Sequence, residues 1–439
     1  MRSVYGGLLV IFWTATSGAV LAQSQQARQP LVDPVGGTTV EQAVATALEN
    51  LASLRAARAA VAAAEARRAQ AALRPNPILA AGWRQEIGGM GRMNETSVTL
   101  PLDLFRRGPR TALAEAGIEV AEAEARRALL VSELEVRRQY GALLAAIRRV
   151  EVARELETAA GRIHELLAAR AEAGAAPPLD RDLARVEFER MSARARAAAA
   201  DAEAAAIDLR RAMGLNTGDM PRVRLSLEAV FAQPQIAAPA GEQPAGIIET
   251  RPDVQAASAR IRARDAAIEQ ARSEGTWDLS VSAGYARMHS GFPFSAFDEG
   301  GLLRGIEATF HNVTFGAMVM VPLFDRNQGA VAEAAAEHSA AEAEAEDVRL
   351  AATAEVSRTS IQLRAALDVA GRYRTTIVPQ AVQNVETVIA RYELGRGTLF
   401  DVLQARQQLL QIQDEYTDAL FRAYEAHVAA IGARGGVNR

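Results

Sequence analysis

From Gln328 to Leu394 the chain holds an Ala/Glu/Arg-rich pattern with one proline in it, Pro379. If helical throughout, at 1.5 Å rise per residue, the stretch is about 100 Å long, several times the radius of a globular domain. A rod of that length cannot bury one face inside a compact core. It needs neighbouring helices along its whole length, and the rest of the sequence supplies candidates for them.

An N-terminal helix is expected from Thr38–Thr39, with Glu41 in its first turn, to Leu73, where Pro75 and Pro77 stop it. Two extended segments follow, about 77–87 and 94–104. In the second, Glu95, Ser97 and Thr99 alternate with Thr96, Val98 and Leu100, the period of two of a strand with one wet and one dry face. Gly108–Pro109 then opens a long helix over 108–174. A turn at 174–180 leads into a helix that ends near Met213. The linker 215–247 is punctuated by Pro221, Pro234, Pro239 and Pro244, and RVRLSLEAVF within it could supply one short strand.

After the linker the plan repeats. Thr250 and Asp253 have the spacing of a capping box, with Pro252 inside the first turn of a helix that reaches about Ser273. Strands are expected at about 277–288 and 309–322. The first sets Trp277, Leu279, Val281, Ala283 and Tyr285 on one side and Asp278, Ser280 and Ser282 on the other. The helix over 328–394, a turn at 395–401 and a last helix to about Ile431 complete the second copy. Pro101 and Pro322 lie 221 positions apart, as do Gly174 and Gly395, whereas Leu51 and Pro252 lie 201 apart. The chain is therefore an internal duplication, repeats 38–214 and 248–432 with a tail at 433–439. The extra residues of the second copy fall in SGFPFSAFDEGGLLRG, expected as a longer loop than Gly88–Met93. In each repeat the two shorter helices, laid end to end, would match one long one, as the staves of a helical cylinder require.

Composition narrows the function classes. The formal charge is −4, so no basic face for nucleic acid is indicated. The absence of cysteine removes disulfides, thiolate metal sites and an acylated N-terminal Cys. Met1–Ala22 reads as a signal peptide: Arg2, an apolar core, then small Val20 and Ala22 before Gln23. Its apolar part is shorter than the ~20 residues of a membrane-spanning anchor. Residues 23–37 read as an extended arm. No HExxH, no phosphate-binding glycine loop after a strand and no nucleophile–base constellation is present, and no cofactor is indicated.

Four strands of outer-membrane length cannot close a barrel by themselves, since about eight is a practical minimum, and lipid forbids an open sheet edge. Closure must be intermolecular. Trp83, Trp277 and Tyr285 suit the interfacial aromatic belt. The duplicated helix–hairpin–helix plan, together with RPDVQAASARIRARDAAIEQARSE, VPLFDRNQGAVAEA and ARYELGRGTLFDVLQARQQLL, resembles the TolC family of trimeric outer-membrane efflux ducts. LPLDLFRRGP and PLFDRNQG are most similar to its heavy-metal (CzcC-like) branch. The resemblance implies a mainly α fold with a small β part: a homotrimer whose twelve-stranded barrel in the outer membrane of a Gram-negative bacterium continues into a periplasmic α-helical tunnel. It also implies a periplasmic adaptor, an inner-membrane pump of the resistance-nodulation-division type, and heavy-metal cations as cargo. Drug efflux or type I protein secretion through the same duct is the alternative cargo. A soluble periplasmic coiled-coil scaffold is the alternative from another class, and it leaves the two amphipathic hairpins unexplained.

The distal turns are the candidate adaptor contacts: Gly174, Pro177, Pro178, Leu179 and Asp180 in one, and Gly395, Arg396, Gly397, Thr398, Leu399, Phe400 and Asp401 in the other. Thr398 and Asp401 have capping-box spacing, while Leu179, Leu399 and Phe400 are expected to be exposed. Glu386 and Glu393, one or two turns above, could form an acidic ring in a trimer. A solvated helix face is the favoured reading of both. Met288, His289 and His311 at strand ends, and Met318 and Met320 within a strand, have no spacing that makes a tight metal site.

Overall fold

The computed structural model describes residues 31–87, 89, 91–216, 220–231 and 244–436. The expected signal peptide, most of the N-terminal arm and much of the linker lie outside them. Ten helices (α1 Val40–Asn50, α2 Ala52–Ala71, α3 Arg107–Glu172, α4 Pro178–Ala212, α5 Leu227–Phe231, α6 Pro244–Thr250, α7 Pro252–Glu274, α8 Gln328–Arg372, α9 Val378–Glu393, α10 Leu399–Ala433) are described with four strands (β1 Ile78–Gln85, β2 Arg92–Pro101, β3 Asp278–Phe297, β4 Leu303–Met320).

The strands form one antiparallel sheet in the order β1-β2-β3-β4. The helices form a wall in the same order. α2 packs on α3, α3 on α7 and α7 on α8; lower down, α4 packs on α3, α3 on α10, and α10 on α8 and α9. Each strand thus continues one stave. α3, with 66 residues, is about 100 Å of unbroken helix. The interrupted staves meet end to end: Gly214, after α4, lies against Asn50 and Leu51, and Arg251, before α7, donates to the Ala433 carbonyl at the end of α10 (2.6 Å).

The staves approach closely because alanine lines their seams. On α8 the buried positions include Ala334, Ala341, Ala345, Ala352, Val356, Leu363 and Ala370. Spacings of seven and four mostly alternate, near 3.67 residues per turn, so the seam follows a nearly straight helix without the left-handed winding of a strict heptad. Larger side chains gather at the equator, where Tyr140, Leu143 and Leu144 of α3 meet Val44, Leu209, Tyr416 and Leu420. Burial pushes the Tyr140 phenol up to about 12, and its hydroxyl donates to the Thr38 carbonyl (2.9 Å).

Several expectations are corrected. The helix from Thr38–Thr39 to Leu73 is broken at Leu51, whose ψ of 126° is extended. RVRLSLEAVF forms no strand: Val223 makes isolated bridges to Val32 and Thr38, and α5 follows. Thr250 does not cap α7. It ends α6, its hydroxyl donates to the Ile247 carbonyl, and Arg251 is the N-cap. The helix over 328–394 contains a π turn, Tyr373–Ile377, through which Val378 N–H bonds five residues back to Tyr373. Pro379 explains it: proline has no N–H to give, and the wider turn places it in the first turn of α9. SGFPFSAFDEGGLLRG is largely strand, not loop, because β3 runs to Phe297 and β4 starts at Leu303. Trp277 precedes β3 rather than lying in it, and the last helix reaches Ala433, into the expected tail.

Candidate functional site

At the end of the wall far from the sheet, two helix turns are built alike. Gly174 and Gly395 both have φ +69°, the left-handed conformation that ends a helix and that glycine adopts without a Cβ clash. Ala175 N–H donates to Arg170 O (2.8 Å) and Arg396 N–H to Arg391 O (2.9 Å), closing the same motif in each. The entries to the next helices differ. Pro177 is N-cap of α4, with Pro178 at its first position and Asp180 in its first turn. Thr398 caps α10 with a full capping box: Asp401 N–H donates to Thr398 Oγ1 (3.2 Å), and Thr398 N–H to Asp401 Oδ2 (2.9 Å). The Thr398 N–H and the Thr398 hydroxyl (2.8 Å), both donating to Asp401 Oδ2, hold the Asp401 carboxyl below its ordinary pKa.

Leu399 corrects the sequence expectation. It is 5% exposed and packs with Leu167 of α3 and Ala184 of α4, so it joins one tip to the other. Leu179 and Phe400 are exposed, as expected, at 65% and 72%. Leu183, Val186 and Leu394, which the sequence reading did not single out, are exposed beside them. The i, i+4, i+7 spacing of Leu179, Leu183 and Val186 was the available signal for an apolar face on α4. Glu386 and Glu393 lie on one side of α9, two turns apart and exposed, with no ion pair to any described residue.

The sheet has two unlike faces. Paired residues share a face, so Leu79, Val98, Ala283 and Phe315 form one row across the sheet, and Ala81, Thr96, Tyr285 and Val313 the next. This face is exposed and apolar. The other carries Ser97, Thr99, Ser280, Ser282 and Thr314 and is the more enclosed on β2 and β3, as on the inside of a curved sheet. Phe105 packs edge-on against Trp277 (4.8 Å) where the sheet meets the helices, while Trp83 and Tyr285 lie towards the far end of the apolar face. Met288, Met318 and Met320 fall on the serine face. His289 and His311 fall on the apolar face, so the sheet separates the thioethers from the imidazoles. Among the described residues no group of three or more His, Asp or Glu is placed to hold a metal ion, and no helix is long and apolar enough to cross a membrane.

A family model for outer membrane efflux proteins matches residues 43–215 and 245–435. The chain belongs to this family. The cobalt-zinc-cadmium resistance protein CzcC of Cupriavidus metallidurans is 25% identical over 423 residues, 96% of each chain. The nickel-cobalt-cadmium resistance protein NccC of Alcaligenes xylosoxydans xylosoxydans is 27% identical over 319 residues, 72% of this chain and 67% of that one. The solved structure of CusC, 19% identical, superposes with a TM-score of 0.74 over 90% of this chain and 92% of its own. VceC of Vibrio cholerae, 21% identical, gives 0.70 over 90% and 96%. At those identities the likeness establishes the fold, which is the TolC-like one.

Proposed function

We propose that three copies of this chain form a passive duct that carries heavy-metal cations through the periplasm and out across the outer membrane. The observation that carries this reading is the shared order of strands and staves. Among the described residues of one copy, β1 and β4 each lack a partner on one side, and the staves on the same two flanks, α2 with α4 and α8 with α9, lack one too. Another copy of the chain can close both at once. Three copies supply twelve strands, with the apolar face towards lipid and the serine face lining the bore.

The duct has no energy source of its own. An inner-membrane pump of the resistance-nodulation-division type supplies it, and a periplasmic adaptor docks on the exposed apolar tips, Leu179 and Phe400 among them. Glu386 and Glu393 face the bore above the tips and favour cations there. The metal cargo is supported by the resistance names of the two relatives, cobalt, zinc and cadmium in one and nickel, cobalt and cadmium in the other. Deletion followed by growth on graded zinc, cobalt, cadmium and nickel tests the cargo. Lowered tolerance to at least one, restored by the intact gene, is the expected result. Unchanged tolerance to all of them, with sensitivity to drugs instead, would move the duct to drug efflux.

A further inference from the structure

Strand register gathers cations that the sequence keeps far apart. Beyond the row that holds Tyr285, the next row on the apolar face is Trp83, Asn94, Arg287 and His311, and the one after it is Gln85, Arg92, His289 and Thr309. The outward surface therefore changes from aliphatic and aromatic to cationic within one row, about 7 Å along a strand. Arg92 and Arg287 are exposed diagonal neighbours on adjacent strands, within reach of one ligand.

Their neighbours do not neutralise them. Glu307, the acid on this part of the face, is paired with His289 Nε2 (3.1 Å), and His289 Nδ1 lies 3.2 Å from the Thr309 hydroxyl. His311 Nδ1 is held at 2.6 Å by the Tyr285 hydroxyl, which leaves its Nε2 turned to the surroundings. Neither Arg92 nor Arg287 has a hydrogen bond or ion pair with any described residue. Two uncompensated guanidinium groups side by side fit an anion that offers several oxygens, as a phosphate does to the forked donors of arginine.

We propose that Arg92 and Arg287, with His311 beside them, bind the phosphate of a lipid headgroup in the leaflet farther from the helices. The inference rests on the membrane-duct reading. A lipid is favoured over a free anion by continuity: the cationic rows begin where the acyl-facing rows end, with Trp83 and Tyr285 at the boundary, the level at which interfacial aromatics sit. The headgroup then fixes the depth of the barrel and screens two like charges.

Native mass spectrometry of the full-length, detergent-released oligomer tests this, with bisphosphorylated lipid A and the same lipid stripped of its phosphates as probes. The phosphorylated lipid should be retained on the order of tenfold better, and the Arg92→Ser/Arg287→Ser double variant should lose that preference with its oligomer mass unchanged. Inorganic phosphate at matched concentration should not compete the lipid away. Equal retention of the two lipids by the unmodified protein overturns the proposal, whatever the variant does, as does an unchanged preference in the variant. Flotation with phosphatidylcholine vesicles separates the two levels of failure. A protein that floats but shows no phosphate preference loses only the headgroup contact, whereas one that floats with no vesicle loses the duct reading as well.

Discussion

Arg251 stands where α7 and α10 meet end to end, 6% exposed, and bonds to the Ala433 carbonyl, Asp253 (2.7 Å) and Glu355 (2.8 Å). Burial works against charge on Asp253, but hydrogen bonds and the adjacent guanidinium outweigh it and hold the carboxyl below its ordinary range. Its contribution is therefore complete above the unfolded value near 4 and is lost as pH falls through the folded one. Arg251→Met should cost about 1–3 kcal/mol, discounted because both carboxylates are about a third exposed, read as a lower midpoint of thermal loss of helical signal. Acidification below about pH 4 should shrink the gap between this variant and the unmodified protein. Gly275 makes the other sharp demand. A Cβ there would lie 2.2 Å from the Arg326 carbonyl oxygen, at the joint between helices and sheet. Gly275→Ala should lower the same midpoint, by about 1–3 kcal/mol in stability, because backbone must move. The sequence named neither residue's role: Arg251 sits in the quoted RPD run, but its partners arrive from 104 and 182 positions away.

Elements were legible where a local rule decides them. Gly174 and Gly395 announce their turns because a left-handed residue there favours glycine, and Thr398 with Asp401 announces the start of α10. Leu399 was misjudged because its burial depends on Leu167 and Ala184 from the other tip, which no local pattern reveals. The length of β3 was hidden by the Gly and Pro in SGFPFSAF. β2 pairs with β3 only as far as Arg92 with His289, so beyond that point one side of β3 has no ladder and a missing N–H breaks nothing. The break at Leu51 carries neither proline nor glycine and left no mark. Thr398→Ala should speed amide exchange in the first turn of α10 while leaving the first turn of α4, which has no such box, unchanged. Phe400→Asp should weaken retention of the adaptor in pull-down without changing oligomer mass, whereas Leu399→Asp, facing inward, should disturb the tips themselves.

At the scale of the molecule, one copy is a panel of sheet and helix whose two flanks, among the described residues, are unfinished at both levels. Both the strand order and the stave order run from the same open flank to the same open flank, so on the proposed reading one symmetric operation would complete barrel and tunnel together. Replacing Glu386 and Glu393 by Gln should lower the cation preference of the reconstituted duct, read as a reversal potential nearer zero under a salt gradient. The duplication, the length of α3 and the two faces of the strands were all present in the sequence. The proposed sharing of an edge between copies has only a deficit behind it in the sequence, four strands where a barrel needs more. The most direct measurement is the protein mass of the detergent-solubilised full-length chain by light scattering. Three copies per particle, with material lost from solution when detergent is withdrawn, is the predicted result. A monodisperse single copy that stays soluble without detergent would contradict it.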